Sequence, residues 1–283
     1  MALDALKPDI VSGQILARLN DASVFMNVVN TDYQGEITSY GQSVRIVQTG
    51  PVAVNSYTPG TTSDLTIEQL PAAGQVLNID QGASYSFTVE DVDNAQSRVK
   101  MISEGITQAT WALRDDIDAF IAGLRTDAAV AVGGTASTGA DITSTNVLVY
   151  FMEAARKLDE TNTPTAGRWA VVPPWLAHKA TLAGIVQKTN NDAVFENGFI
   201  GRVYGFDMYS SNNVTPLSGT DRYPALFGYR GSISMAVQVM TAEIVRPSKQ
   251  FVTLAKGLTY YGGKVTRPNN LGVLYADYTS EAT

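Results

Sequence analysis

The longest apolar periodicity in the chain runs from about Asn94 to Thr126. Val99, Ile102, Ile106, Ala109, Leu113, Ile117, Phe120, Ile121 and Leu124 recur there at steps of mostly three and four, which places them on one face of a helix. Glu90, Asp91 and Asp93 precede the run and Arg125 closes it. Charges of the favourable sign therefore meet both ends of the helix dipole, with Asp93 or Asn94 as the N-cap. About 30 residues make a rod of roughly 45 Å, far longer than the usual helix, so neighbouring segments must be laid along it. Ile106, Leu113 and Ile117 are its expected core residues.

The segments on either side have different periods. Residues 1–30 carry Ile10, Ile15, Leu16, Leu19 and Val24–Met26 without a continuous face and with Gly13 inside, which predicts a largely helical but loosely anchored arm. In 41–54, Val44, Ile46, Val52 and Val54 alternate around Gly50-Pro51, and QVLNID (75–80) is the next strand. The polar, Pro/Gly/Thr-rich stretch 56–74 between them predicts an extended two-stranded hairpin over 41–80, with its tip at Pro59, Gly60, Thr61, Thr62, Ser63 and Asp64. Such a hairpin is marginal alone and calls for a neighbour. Tyr85, Phe87 and Val89 alternate in a strand over 83–93 that feeds the long helix.

Beyond the helix, the small residues of 128–141 read as a linker and a domain boundary. Then follow a helix over 143–162, a buried strand RWAVVPP (168–174), a helix from Pro174 to Gly184, a strand with a glycine bend over 201–214, and a strand, turn and short helix over 225–238. The tail, 242–278, predicts antiparallel pairs turned at Gly262-Gly263 and at Pro268-Asn269-Asn270.

Composition narrows the class. With 283 residues, 45% of them hydrophobic, the chain can bury a large core. The absence of cysteine removes disulfides and thiolate metal sites. No signal peptide and no apolar run long enough to span a membrane occur, which predicts a protein made and kept in a reducing cytoplasm. A net charge of -7 without a Lys/Arg cluster argues against tight nucleic-acid binding and for protein partners.

Candidate chemistry is sparse. The one histidine, His178, has no evident partners for a triad or a zinc site. Asp115, Asp116 and Asp118 crowd the long helix, with Asp115 and Asp118 sharing a face; they suit a solvated or partner-facing surface better than a metal or acid–base pair. GLTYYGGKV (257–265) misses the phosphate-loop spacing and reads as a turn. No catalytic residue, cofactor site or metal site is nominated.

The order of elements, and above all LNIDQGASYSFTVEDVD (77–93) and NGFIGRVYGFDMYSSNNV (197–214), resembles the major capsid proteins of tailed bacteriophages, which share the Hong Kong 97-type fold. The resemblance implies an α+β fold with an N-terminal arm (1–40), an E-loop (41–84), a peripheral domain holding the spine helix (85–139), an axial domain (140–240) and return strands of the peripheral domain (241–283). It implies a non-enzymatic shell subunit that assembles with itself as pentamers and hexamers around double-stranded DNA, without sequence-specific DNA binding or a membrane. With no helical pre-segment before the arm, the resemblance implies either a separate scaffolding protein or a pre-segment already cleaved, together with a portal and, as an optional partner, a decoration protein. The E-loop tip residues become candidate inter-subunit contacts. Some relatives cross-link a lysine to a neighbour's asparagine, but 41–84 contains no lysine. A tail protein or other virion protein, and a cytoplasmic enzyme or ligand-binding protein, are the competing classes, separable by particle mass.

Overall fold

A computed structural model describes residues 23–33, 43–49, 72–90, 101–184, 199–247 and 251–280. Its strands are β1 (Ser43–Thr49), β2 (Ala72–Asn78), β3 (Gln81–Glu90), β4 (Val130–Val132), β5 (Ala140–Ile142), β6 (Arg168–Val172), β7 (Phe199–Val203), β8 (Phe206–Ser210), β9 (Arg222–Tyr229), β10 (Ile233–Val245), β11 (Val252–Val265) and β12 (Leu271–Tyr278). Its helices are α1 (Met101–Gly123), α2 (Val147–Glu160) and α3 (Pro174–Leu182).

Three sheets result. β1 and β2 form an antiparallel pair, β10-β11-β3 a three-stranded antiparallel sheet, and β4-β12-β9-β6-β8-β7 a mixed sheet to which β5 adds through β12. The mixed sheet is covered on both faces, and its strands alternate accordingly. Ala170, Val172, Ala225, Phe227, Leu274 and Ala276 pack under α2 and α3 with Phe151, Leu158 and Leu176. Trp169, Val171, Leu226, Leu271 and Val273 face the other way, into a core shared with α1, β10 and β11. The two halves of the molecule are therefore fused through one sheet, and an all-buried run such as β6 follows from having two apolar sides.

Buried and half-buried charged groups fix the sheet's ends. The Lys179 ammonium on α3 donates to the carbonyls of Ile142 (2.6 Å) and Thr279 and lies 5.2 Å from the Trp175 ring and 5.6 Å from that of Tyr278, tying the ends of β5 and β12 to the helix. Arg168 donates to Asp159 (2.6 Å), Thr163 O (2.7 Å) and Pro164 O (2.9 Å), closing the turn after α2. Arg222 grips Asp277 with two bonds, 2.8 and 3.0 Å, and donates to Ala136 O at 2.9 Å, which holds the excursion between β4 and β5.

The long helix ends just before its apolar run does. Its described part is Met101–Gly123, about 35 Å; Leu124–Asp127 tighten into a 3-10 turn, where Arg125 donates to Ala122 O at 3.3 Å. Residues 91–100, with the expected N-cap, lie outside the described residues. Leu113, Ile117 and Ile121 are buried in the shared core and Ile106 is half-buried against it. Gly105 lets the helix approach β3, because a Cβ there would lie 2.5 Å from the Phe87 ring.

Several expectations are corrected. The segment before β1 is not loosely held where it is described: Phe25, Met26, Val28 and Val29 sit in the core beside α1, while residues 1–22 lie outside the described residues. The 128–141 stretch is no linker, since β4 and β5 within it pair in parallel with β12. Ser234–Gln238 extend β10 and form no helix. Ile233, Met235 and Val237 face one core and Ala236 another, so burial on both sides overrides the helical preference of Met and Ala. Gly262-Gly263 is not a turn but lies within β11: a Cβ on Gly262 would fall 2.1 Å from Asn78 O, and one on Gly263 2.8 Å from Met235 Sδ. The glycines mark close approach, the other meaning of glycine in a strand. With that turn gone, β12 pairs with β9 instead of β11, which places 271–278 in the mixed sheet under α2 and α3. The segment 201–214 holds two strands, β7 and β8, turning at Tyr204-Gly205.

Truncating Leu113 or Ile117 to alanine is expected to cost roughly 2–5 kcal/mol, and the half-buried Ile106 less. Denaturant midpoints of the three variants measure this, and equal effects at all three positions would contradict the burial gradient.

Candidate assembly surfaces

The three aspartates of α1 do three different things. Asp118 points into the core, where Ser23 Oγ donates to its Oδ1 at 2.5 Å and the Val24 N–H to its Oδ2 at 3.3 Å. Ser23 Oγ in turn accepts from Met26 N–H at 3.0 Å, capping the turn that carries Phe25–Val29 into the core. Asp116 accepts from the Tyr261 hydroxyl at 2.6 Å. Asp115 stays exposed beside Arg114 (2.7 Å) and Asn213. The expected pairing of Asp115 with Asp118 on one open face does not occur, because the helix rotates Asp118 inward and the buried serine supplies its donor. Among the described residues no group of three or more His, Asp or Glu could hold a metal ion.

Burial raises the Asp118 carboxyl above the usual aspartate range, against the opposing pull of the Ser23, Val24 and Phe25 hydrogen bonds and the Arg114 charge. Burial, and then the hydrogen bond to and charge of Asp116, raise the Tyr261 phenol in the same sense. Asp118 thus works as a buried anchor between the helix and the segment entering the fold.

The β1–β2 hairpin is rooted in the molecule. Ser43 pairs with Asn78 and Thr49 with Ala72 without a break. Val44, Ile46, Leu77 and Ile79 pack on Ala236, Tyr33 and Tyr260, and Lys264 Nζ donates to Val76 O at 3.1 Å while Gln75 Nε2 donates to Thr266 O at 3.1 Å. The expected contact residues Pro59, Gly60, Thr61, Thr62, Ser63 and Asp64 lie outside the described residues.

What the described surface offers is apolar protrusion. Phe251, just before β11, is 86% exposed; Trp111 on α1, Val149 and Met152 on α2, and Tyr204 at the β7–β8 turn also stand in solvent. Sequence periodicity cannot find such residues, because it registers only the buried stripe. A cleft of about 350 Å³ beside β3 and β11 is lined by Ser84, Tyr85, Ser86, Lys256, Gly257 and Leu258, and Lys256 is held by Glu243 at 2.9 Å. It contains no histidine or carboxylate among its described lining residues, and His178 lies exposed on α3. The described surface thus joins a rooted hairpin to a clamped sheet with several exposed aromatic side chains.

Comparison with known proteins agrees. A family model described as phage capsid protein matches residues 72–271, and the chain belongs to that family. It is a bacteriophage major capsid protein, a structural subunit of the capsid shell. Among solved structures, the chain is similar to one from Mycobacterium phage Che8, with 27% identity, a TM-score of 0.68, and coverage of 89% of this chain and 90% of that one. The capsid structure of cyanophage P-SCSP1u gives 20% identity, a TM-score of 0.68 and coverage of 92% and 89%. The capsid of Ralstonia phage GP4 gives 13% identity, a TM-score of 0.65 and coverage of 90% and 88%. At the last two identities the likeness is one of fold, and it is the α+β capsid fold that the sequence resemblance implied. No curated protein sequence matches the chain.

The direction of the Asp118 shift sets a pH dependence. A carboxyl raised on folding contributes stability below its unfolded value of about 3.9, and that contribution fades as pH rises through the folded value. The deficit of Asp118→Asn relative to the parent is therefore expected to be larger at pH 4 than at pH 7 in denaturant titrations. Asp118→Ala, which strands the Ser23 and Val24 donors, is expected to cost about 1–3 kcal/mol. A deficit that grows toward neutral pH would show that hydrogen bonding outweighs burial at this carboxylate.

Proposed function

We propose that the chain closes icosahedral shells as pentamers and hexamers of itself around double-stranded DNA, and that it carries no chemistry of its own. The observation that supports this reading best is the β1–β2 hairpin. Its base is fixed in register by seven consecutive pairs and packed on the subunit's own core, so residues 50–71 continue from a rigid root. In this reading that continuation is the E-loop of a Hong Kong 97-type subunit, and the tip at Pro59–Asp64 reaches a neighbouring copy. Many modest contacts suffice, because a subunit held at several edges gains from high effective concentration.

The remaining assignments belong to the same proposal. Residues 85–139 form the peripheral domain with α1, and 140–240 the axial domain, which β12 joins from the 241–283 segment. Assembly takes place in the host bacterial cytoplasm, on a separate scaffolding protein and a portal, with a decoration protein as an optional outer partner. The acidic balance of the chain, -7, suits a container that does not grip packaged DNA. No helix among the described residues is long and apolar enough to cross a membrane.

Deleting Pro59–Asp64 and joining the limbs by a short turn is expected to leave a folded subunit, with parental circular dichroism, that fails to form normal shells. His178→Ala is expected to assemble as the parent does. Electron microscopy and particle mass decide both. Shells of ordinary size from the deletion variant would remove the reaching-loop argument, and only dimers or tetramers from the parent with its scaffold would overturn the shell geometry.

A further inference from the structure

The three-stranded sheet β10-β11-β3 ends on β3, whose other side has no partner strand among the described residues. Every second residue of such an edge directs its N–H and C=O away from the sheet, a template for pairing with another chain. Other edges of the molecule are guarded in the ways native proteins use. β10 is interrupted by a bulge between Val239 and Thr241 and bridged at Ser234 by Asn30. β7 has five residues, an irregular register and the charge of Arg202, while β4 and β5 have three residues each. β3 has none of these devices. Its ten residues stay in register with β11 without a break, and from Gln81 to Val89 it carries no proline and no charge.

Burial also stops short at this edge. On the side that faces α1, Ala255, Gly257 and Thr259 of β11 are buried, but Phe87, Tyr85 and Ala83, which pair with them on β3, are only half-buried, as is Val89. Phe87 already lies against Gly105 of α1, so the helix covers the strand from one face and the missing cover is at its flank. The cleft of about 350 Å³ has Ser84, Tyr85 and Ser86, the middle of this strand, in its wall. One more strand beside β3 meets the open backbone groups and covers the flanks of Tyr85, Phe87 and Val89 in the same step.

The strand that fits is β3 itself. An antiparallel edge is its own complement about a two-fold axis, so no second patch is required. With the axis at Ser86, residues 82–90 run against residues 90–82 of the second copy and every side chain keeps its face of the sheet. Tyr85 then stands opposite Phe87, Ala83 opposite Val89 and Ser84 opposite Thr88, all favourable cross-strand pairs, and Glu90 meets Gly82. Moving the axis to Tyr85 sets Asp80 against Glu90, and moving it to Phe87 shortens the ladder to 84–90. Going beyond the shell reading, we propose that β3 of one subunit pairs with β3 of a second about a two-fold axis, joining two three-stranded sheets into one of six strands. A closed icosahedral shell supplies such axes between its rings.

The cysteine-free chain makes the test direct. Mild oxidation of assembled Ser86→Cys protein is expected to give disulfide-linked dimers and no longer chains, because the two copies of this residue face each other on the axis. Ser84→Cys alone gives none, since its counterpart lies roughly 13 Å along the ladder, and Ser84→Cys, Thr88→Cys restores the dimer. Ser84 and Thr88 are exposed on the outer face, so charges placed there leave the melting temperature of the unassembled subunit unchanged. Ser84→Lys, Thr88→Lys, which sets like charges opposite each other, is expected to need about tenfold more protein to assemble, and Ser84→Glu, Thr88→Lys to assemble near the parental concentration. Shells without a Ser86→Cys dimer, with both charge variants assembling alike, overturn the β3 contact and leave the shell reading standing. The same result with β3 amides protected on assembly gives the edge to another strand and equally overturns the contact. Dimers without shells keep the contact and remove the shell reading. Should Ser86→Cys not assemble, the Ser84→Cys, Thr88→Cys variant and the charge pair decide.

Discussion

Burial of the single apolar face of α1 is the constraint on which the rest of the molecule depends. Leu113, Ile117 and Ile121 need cover along the rod, and no one element supplies it. The 25–29 segment, β10, β11 and one face of the mixed sheet all contribute side chains to the same core. Elements distant in the chain are thereby fixed relative to one another, and the buried bond between Ser23 and Asp118 sets where the first of them enters. The helix works as a beam, and the two sheets are mounted on it.

That arrangement accounts for what was legible in the sequence. Where one face is buried and the other solvated, the period shows: α1, α2, β3 with its regular alternation, and the β1–β2 pair all stand near their predicted places. The all-buried β6 was legible from composition, with a proline on its boundary to mark it. The errors concentrate where a segment is covered on both sides or passes close to another backbone. β10 lost its strand period because Ala236 and Val237 are both buried. Gly262 and Gly263 signalled proximity to Asn78 and Met235, which a chain read in one dimension cannot distinguish from a turn.

The assembly surfaces were legible only in part. The two strands that flank the long polar interval were legible and pair as expected, while the interval itself lies outside the described residues. The exposed Tyr204, Phe251 and Val149 carry no periodic signature. Their exposure appears only once the fold shows which side chains have been left outside, as does the positive φ of Tyr204. The same holds for the aspartates of α1, whose identical chemistry is divided among core, phenol and solvent by helical rotation alone.

The place of β12 has a consequence for synthesis. Every other strand of the mixed sheet precedes it in the chain, yet it lies between β9 on one side and β4 and β5 on the other. As translation proceeds, β4 and β5 have no partner and β9 has one open side until residues 271–278 emerge from the ribosome. The sheet therefore cannot close on a nascent chain. A polypeptide broken off before this strand lacks the element that joins β4 and β5 to β9, and with it the buried side chains of Leu271, Val273, Leu274 and Ala276.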